Sequence, residues 1–85
     1  MDSVLDQYVA VDAQIQHGKP CFRGTRIPLY AVLELLEAGV TTEAIAGPEY
    51  YPELTPAHVR AALHFAAQQA RFQEYLPLPP HEISH

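Results

Sequence analysis

Three groups of residues in this chain have types and spacings that do chemistry elsewhere. The chain ends in His81-Glu82-Ile83-Ser84-His85, the H-E-x-x-H pattern. On a helix that spacing puts two imidazoles on one face to hold zinc, with the glutamate as general base. Here Pro79-Pro80 stand directly before it, and so short a segment does not nucleate a helix in water. His17, His58 and His64 are distant in sequence and offer no third ligand. No metal site is expected. Cys21 is the single cysteine, so no internal disulfide forms. Flanking Lys19 and Arg23 would favour a reactive thiolate, but a short apolar strand around Cys21 predicts a small core residue instead. No Ser/His/Asp arrangement, phosphate loop or spaced carboxylate pair is present. The expectation is a non-enzymatic protein without cofactor.

The third group is Gly18-Lys19-Pro20-Cys21-Phe22-Arg23-Gly24-Thr25-Arg26-Ile27-Pro28. The net charge of −5 hides an asymmetry. Lys19, Arg23 and Arg26 fall in His17–Pro28, which has no acid and is therefore +3; two arginines against ten carboxylates leave −8 elsewhere. A basic loop on an acidic body suits contact with phosphate or with an acidic protein. The favoured reading is a structural loop whose arginines meet the domain's own carboxylates or helix-end carbonyls, since three charges alone bind phosphate weakly. Gly18 and Gly24 allow positive φ, and Thr25 can bond the backbone within a turn.

The elements that position these groups can be read from the pattern. Eighty-five residues make one small domain. Apolar residues at 48% and charged residues at 18% place it among globular rather than disordered chains. No apolar run approaches the roughly 20 residues of a membrane span, and the opening Met-Asp-Ser-Val-Leu-Asp is acidic where a signal peptide is basic. The expected location is the cytoplasm.

Residues 1–7 read as a flexible start, 8–72 as the folded domain and 73–85 as a Pro-rich tail. Tyr8–Val11 and Pro20–Phe22 predict a short strand pair. Pro28 suits a first helical position. Leu29, Val32, Leu33 and Leu36 then recur at helical spacing, with Glu34 and Glu37 on the far side. Gly39 ends that helix. Thr41 caps a short second one, with Ile45 facing inward, and Gly47-Pro48 stops it. Thr55-Pro56 opens a longer third helix. Val59, Ala62, Leu63, Ala66 and Ala70 form its inner face, and Ala61, Phe65 and Phe72 a second apolar line. Pro77, Pro79 and Pro80 lie beyond its end.

Helix, glycine turn, short helix, loop and longer helix predict a mainly α, tri-helical domain of helix-turn-helix type with a short N-terminal β-element. In a DNA-binding reading, Thr55, His58 and Arg60 near the start of the last helix enter the major groove. Lys19, Arg23 and Arg26 then meet the backbone. In a protein-binding reading, Phe65, Phe72, Tyr75 and Leu76 are the anchors. The breadth of the last helix's apolar surface predicts packing on the strands, self-association or a partner chain.

Gly18-Lys19-Pro20, followed by Arg23-Gly24-Thr25-Arg26-Ile27-Pro28, resembles the signature of the domain-of-unknown-function 433 family. Leu33-x-x-Leu36-x-x-Gly39-Val40, Glu43-x-Ile45, Tyr51-Pro52-x-Leu54-Thr55 and Ala61-Ala62-Leu63-x-x-Ala66-Ala67 follow in the same order, so the likeness covers roughly Tyr8–Phe72. Gly47–Tyr50 departs from it, about two residues longer than the usual connection. The resemblance implies a small bacterial or archaeal domain with a homeodomain-like fold. It also implies an antitoxin of the VapB class, made beside a PIN-like ribonuclease toxin that it binds and silences, and a dimer that represses its own operon. A DNA-binding regulator without a toxin, or a plain adaptor domain, are the alternatives.

Overall fold

A computed structural model describes residues 3–72 of the chain. In chain order these form α1 (Ser3–Tyr8), β1 (Val9–Ala10), a short 3-10 turn (Gln16–Gly18), β2 (Cys21–Phe22), α2 (Leu29–Glu37), α3 (Thr42–Ile45) and α4 (Pro56–Phe72). The fold is mainly helical, with one small antiparallel ribbon. β1 pairs with β2 so that Val9 faces Phe22 and Ala10 faces Cys21. On its other side β2 bridges to Pro28, and the Phe22 N–H donates to the Ile27 carbonyl at 2.9 Å. The basic loop is thus a second tight turn hung on the central strand.

α2, α3 and α4 pack on one another pairwise. Their inner faces enclose Leu29, Val32, Ile45, Val59 and Ala62, β2 adds Phe22, and the loops add Ile27 and Leu54. Val9, Leu33, Leu35, Leu36, Val40, Tyr51 and Phe65 cover this core from its edge. Burying each large side chain contributes about 1.5–3 kcal/mol.

The helix ends follow from residue chemistry. Gly39 has φ +92, and its N–H donates to the Leu36 carbonyl while the Val40 N–H donates to Leu35, both at 3.0 Å. That pair of bonds is a Schellman cap, which needs a left-handed residue. Thr41 caps α3 as expected, its hydroxyl accepting from the Ala44 N–H at 3.1 Å. Beyond α3, the Tyr51 N–H reaches back to the Ile45 carbonyl at 2.9 Å, so the long Gly47–Tyr50 connection folds onto the helix it leaves. Pro28 is the N-cap of α2 with ψ 147 rather than its first helical residue.

Two further features differ from the sequence pattern. Ser3–Tyr8, most of which lies in the segment read as a flexible start, is helical and packs on α4. This helix has no strong start signal of its own; its support is tertiary. The second concerns α4, where Leu63 and Ala70 lie exposed although the pattern put them inside. With α1 and β2 against α4, the buried arc turns toward Ala61, Ala62 and half-buried Phe65. Leu63 is left on the outside.

Candidate functional site

The R-G-T-R-I-P stretch is built residue by residue from backbone bonds. Gly24 has φ +81, and the Thr25 N–H donates to the Phe22 carbonyl at 3.0 Å. Arg23 has no positive φ, so this is a type II turn with glycine where the turn requires it. The Thr25 hydroxyl donates to the Phe22 carbonyl at 2.8 Å and accepts from the Ile27 N–H at 3.0 Å. It stitches the two arms of the loop together.

Arg23 faces the other way. Its Nε donates to the Asp6 carbonyl at 3.0 Å and its Nη2 to the Val9 carbonyl at 2.8 Å. The Asp6 carbonyl belongs to the last turn of α1, where unsatisfied oxygens carry partial negative charge. One guanidinium therefore ties α1 to β1 and to the loop. Of the roles open to it on sequence, this is the structural one.

The remaining cations behave differently. The side chains of Lys19, Arg26 and Arg60 have no hydrogen-bond or ion-pair partner among the described residues. Arg26 is held only by its backbone, whose carbonyl accepts from Gln16 Nε2 at 3.2 Å. Gln16 reaches it from an unusual turn. Gln16, His17 and Gly18 have φ 52, 56 and 83 in succession, and a left-handed conformation costs a non-glycine residue about 1–2 kcal/mol. The Gly18 N–H to Ile15 and the Lys19 N–H to Gln16 bonds, at 3.0 and 3.1 Å, close that turn.

Between the Ala10–Ile15 segment and the Cys21–Arg26 loop lies a cavity of about 430 Å³. Asp12, Ile15, Cys21, Arg23, Thr25 and Arg26 line it. Asp12 anchors its own side, one carboxylate oxygen accepting from the Gln14 N–H at 2.8 Å. Cys21 is 4% exposed. Burial pushes its thiol above the ordinary value of 9.0, and the Arg26 charge pulls it partly back. As the strand setting predicts, it is a core residue and not an activated nucleophile.

The start of α4 is occupied from within. The Thr55 N–H donates to His58 Nδ1 at 3.0 Å, and the Thr55 hydroxyl lies 2.9 Å from the same nitrogen. His58 fills the place of the glutamate in a capping box. Its ring meets Tyr8 and Phe22 edge-on, with centroids 4.9 and 5.7 Å away. Arg60 is exposed and takes no part in these contacts. The sequence-selected residues thus divide into Arg23, Thr25 and Arg26 around the cavity, Thr55 and His58 bonded to each other at the start of α4, and Lys19 and Arg60 exposed without side-chain partners among the described residues.

Phe65 is half-buried against the core, while Phe72 is 75% exposed at the end of α4. Tyr75, Leu76 and the His81–His85 pattern lie outside the described residues. Asp12, Ile15 and Gln16 were not picked out on sequence. The Asp12-x-Gln14 spacing of an Asx turn was the available signal for the first. Among the described residues no three His, Cys, Asp or Glu side chains converge as a metal site, and no helix is long and apolar enough to cross a membrane.

Neither a curated protein nor a solved structure matches the chain. The profile of the family described as "Protein of unknown function (DUF433)" matches residues 9–66. That span runs from β1 to the middle of α4 and takes in the whole basic loop, the cavity, α2, α3 and the first part of α4. On that match the chain belongs to the DUF433 family.

Proposed function

We propose that the protein is the antitoxin of a type II toxin–antitoxin pair, a non-catalytic cytoplasmic protein that binds and inhibits a PIN-like ribonuclease and self-associates through its helices. The class of toxin comes from the family resemblance. The observation that carries a protein-binding role is Phe72. It continues the Ala61–Phe65 line by one more heptad, yet is 75% exposed. The apolar face of α4 therefore outruns the part of the domain that covers it, and a large uncovered aromatic is a typical anchor for a partner. Leu63, 47% exposed on another side of the helix, offers a separate contact for self-association.

The reading is tested by co-purifying the full chain with the PIN-like protein encoded beside it. Phe72→Asp should lower affinity for the ribonuclease by about tenfold or more, the loss of one buried aromatic anchor, with unchanged circular dichroism. A complex that forms equally well with Phe72→Asp and with Leu63→Asp would remove the argument, as would no complex with the native chain.

Operator binding is the second reading. Lys19, Arg26 and Arg60 favour it, being exposed and without partners among the described residues. A helix-turn-helix docking would bring Arg60 to the groove with the loop cations on phosphates. Mobility shifts of the chain's own promoter should weaken with salt and with Arg60→Ala. No shift at low salt would dispose of it.

A further inference from the structure

Nearly every residue of the R-G-T-R-I-P stretch has a structural role: Arg23 ties down α1, Gly24 makes the turn, Thr25 stitches the loop, Ile27 enters the core and Pro28 caps α2. Arg26 is the exception. The residue is exposed and lines the cavity, and its guanidinium is unpartnered among the described residues. Its backbone is held by Gln16, whose left-handed conformation brings that side chain within reach. Strained backbone of this kind persists where the surroundings hold it in place, and it concentrates at binding sites. The charge of Arg26 is felt at the Cys21 thiol, on the same cavity wall.

Asp12 also lines the cavity, and its carboxylate is oriented by the Gln14 N–H. Asp12 and Arg26 nevertheless form no ion pair with each other or with any other described residue. Two opposite charges thus share one concave space without neutralising each other. A simple anion in that space would face Asp12, and a simple cation would face Arg26 and Arg23. Only a ligand carrying both signs satisfies both. At about 430 Å³ the cavity falls within the range of small-molecule sites, roughly 300–1,000 Å³, and Ala10 and Ile15 supply an apolar wall.

We propose that this cavity binds a free α-amino acid, with its carboxylate on Arg26, its ammonium on Asp12 and its side chain against Ile15. The Gly24 N–H, which has no acceptor among the described residues, is available to the same carboxylate. This proposal does not rest on the antitoxin reading, whose anchor Phe72 lies on α4 and does not line the cavity.

The experiment is a backbone-amide NMR titration of the full chain with glycine, leucine and glutamate, using acetate and methylammonium as single-charge probes. The expected result is a saturable shift of the Asp12, Ile15, Gly24 and Arg26 amides with at least one of the three amino acids, and binding at least about tenfold weaker for either single-charge probe. Arg26→Gln and Asp12→Asn should each weaken the amino acid by about tenfold or more, as for a lost charge-assisted bond. Asp12→Asn should strengthen acetate, since it removes a like charge while keeping the turn's acceptor. Both side chains are exposed, so the remaining amides should not move. Three results would overturn the proposal: no saturable shift with any of the three, acetate binding as tightly as the amino acids, or unchanged binding by Arg26→Gln.

Discussion

Two basic residues three apart in one motif, Arg23 and Arg26, have opposite fates, and nothing in their types separates them. Arg23 is consumed by two carbonyl oxygens at 3.0 and 2.8 Å. Arg23→Ala should lower stability by about 1 kcal/mol, the scale of a net hydrogen-bond contribution at an exposed position, and speed hydrogen exchange in α1. Arg23→Lys should recover little, because an ammonium cannot span both carbonyls as a planar guanidinium does. Arg26→Ala should leave the melting temperature unchanged. Cys21 gives a pH test. Burial raises its thiol above the ordinary 9.0, so the folded chain keeps a proton that the unfolded chain releases. The contribution to stability is complete below pH 9 and falls as pH rises past it toward the folded value. Cys21→Ala, followed by urea unfolding from pH 8 to 10, should flatten that decline relative to the native chain. The buried, inert thiol was legible from its strand neighbours. The carbonyl partners of Arg23 were not, since Asp6 lies in a helix with no sequence signal and Val9 stands fourteen residues away.

At the scale of elements, caps and breakers were legible and weak helices were not. Gly39, Thr41 and Thr55-Pro56 mark ends through local chemistry: a left-handed φ, a hydroxyl that accepts an orphan N–H, a ring that presets φ. Thr41→Ala should cost about 1 kcal/mol, and Thr41→Ser should restore it, both read from urea midpoints. α1 is six residues long, well short of what holds alone in water, so only its packing on α4 and the Arg23 clamp sustain it. The left-handed turn at Gln16-His17 was equally hidden, because such a conformation is uncommon for any non-glycine residue and two in succession are rarer still. His58 joins these scales. It caps α4 and stacks its ring edge on Tyr8 and Phe22. His58→Ala should therefore destabilise the domain by about 2 kcal/mol, from one lost cap and two lost ring contacts, measured by thermal unfolding. It should also loosen α1 through Tyr8.

For the whole molecule, the contrast is between two phenylalanines. Phe22 is fully buried at the junction of ribbon and helices, while Phe72 is largely exposed. Phe22→Ala should cost about 3–5 kcal/mol, a large share of the 5–15 kcal/mol that holds a domain together. Phe72→Ala should stay within about 0.5 kcal/mol. Chemical denaturation of the two variants side by side checks both. By itself the sequence determined the order of the packed helices, their terminators, the strand pair, the charge of the loop and the family. These depend on spacing, on φ preferences and on side chains meeting their own neighbouring backbone, all of which act within a few residues. Only the tertiary structure decided which arginine is a clamp and which has no side-chain partner among the described residues, that Asp12 and Arg26 line one cavity, that Ser3–Tyr8 is helical, and which apolar residues of α4 face outward. Each of those outcomes depends on surfaces brought together from distant parts of the chain, and a helical period says which residues share a face without saying what will cover it.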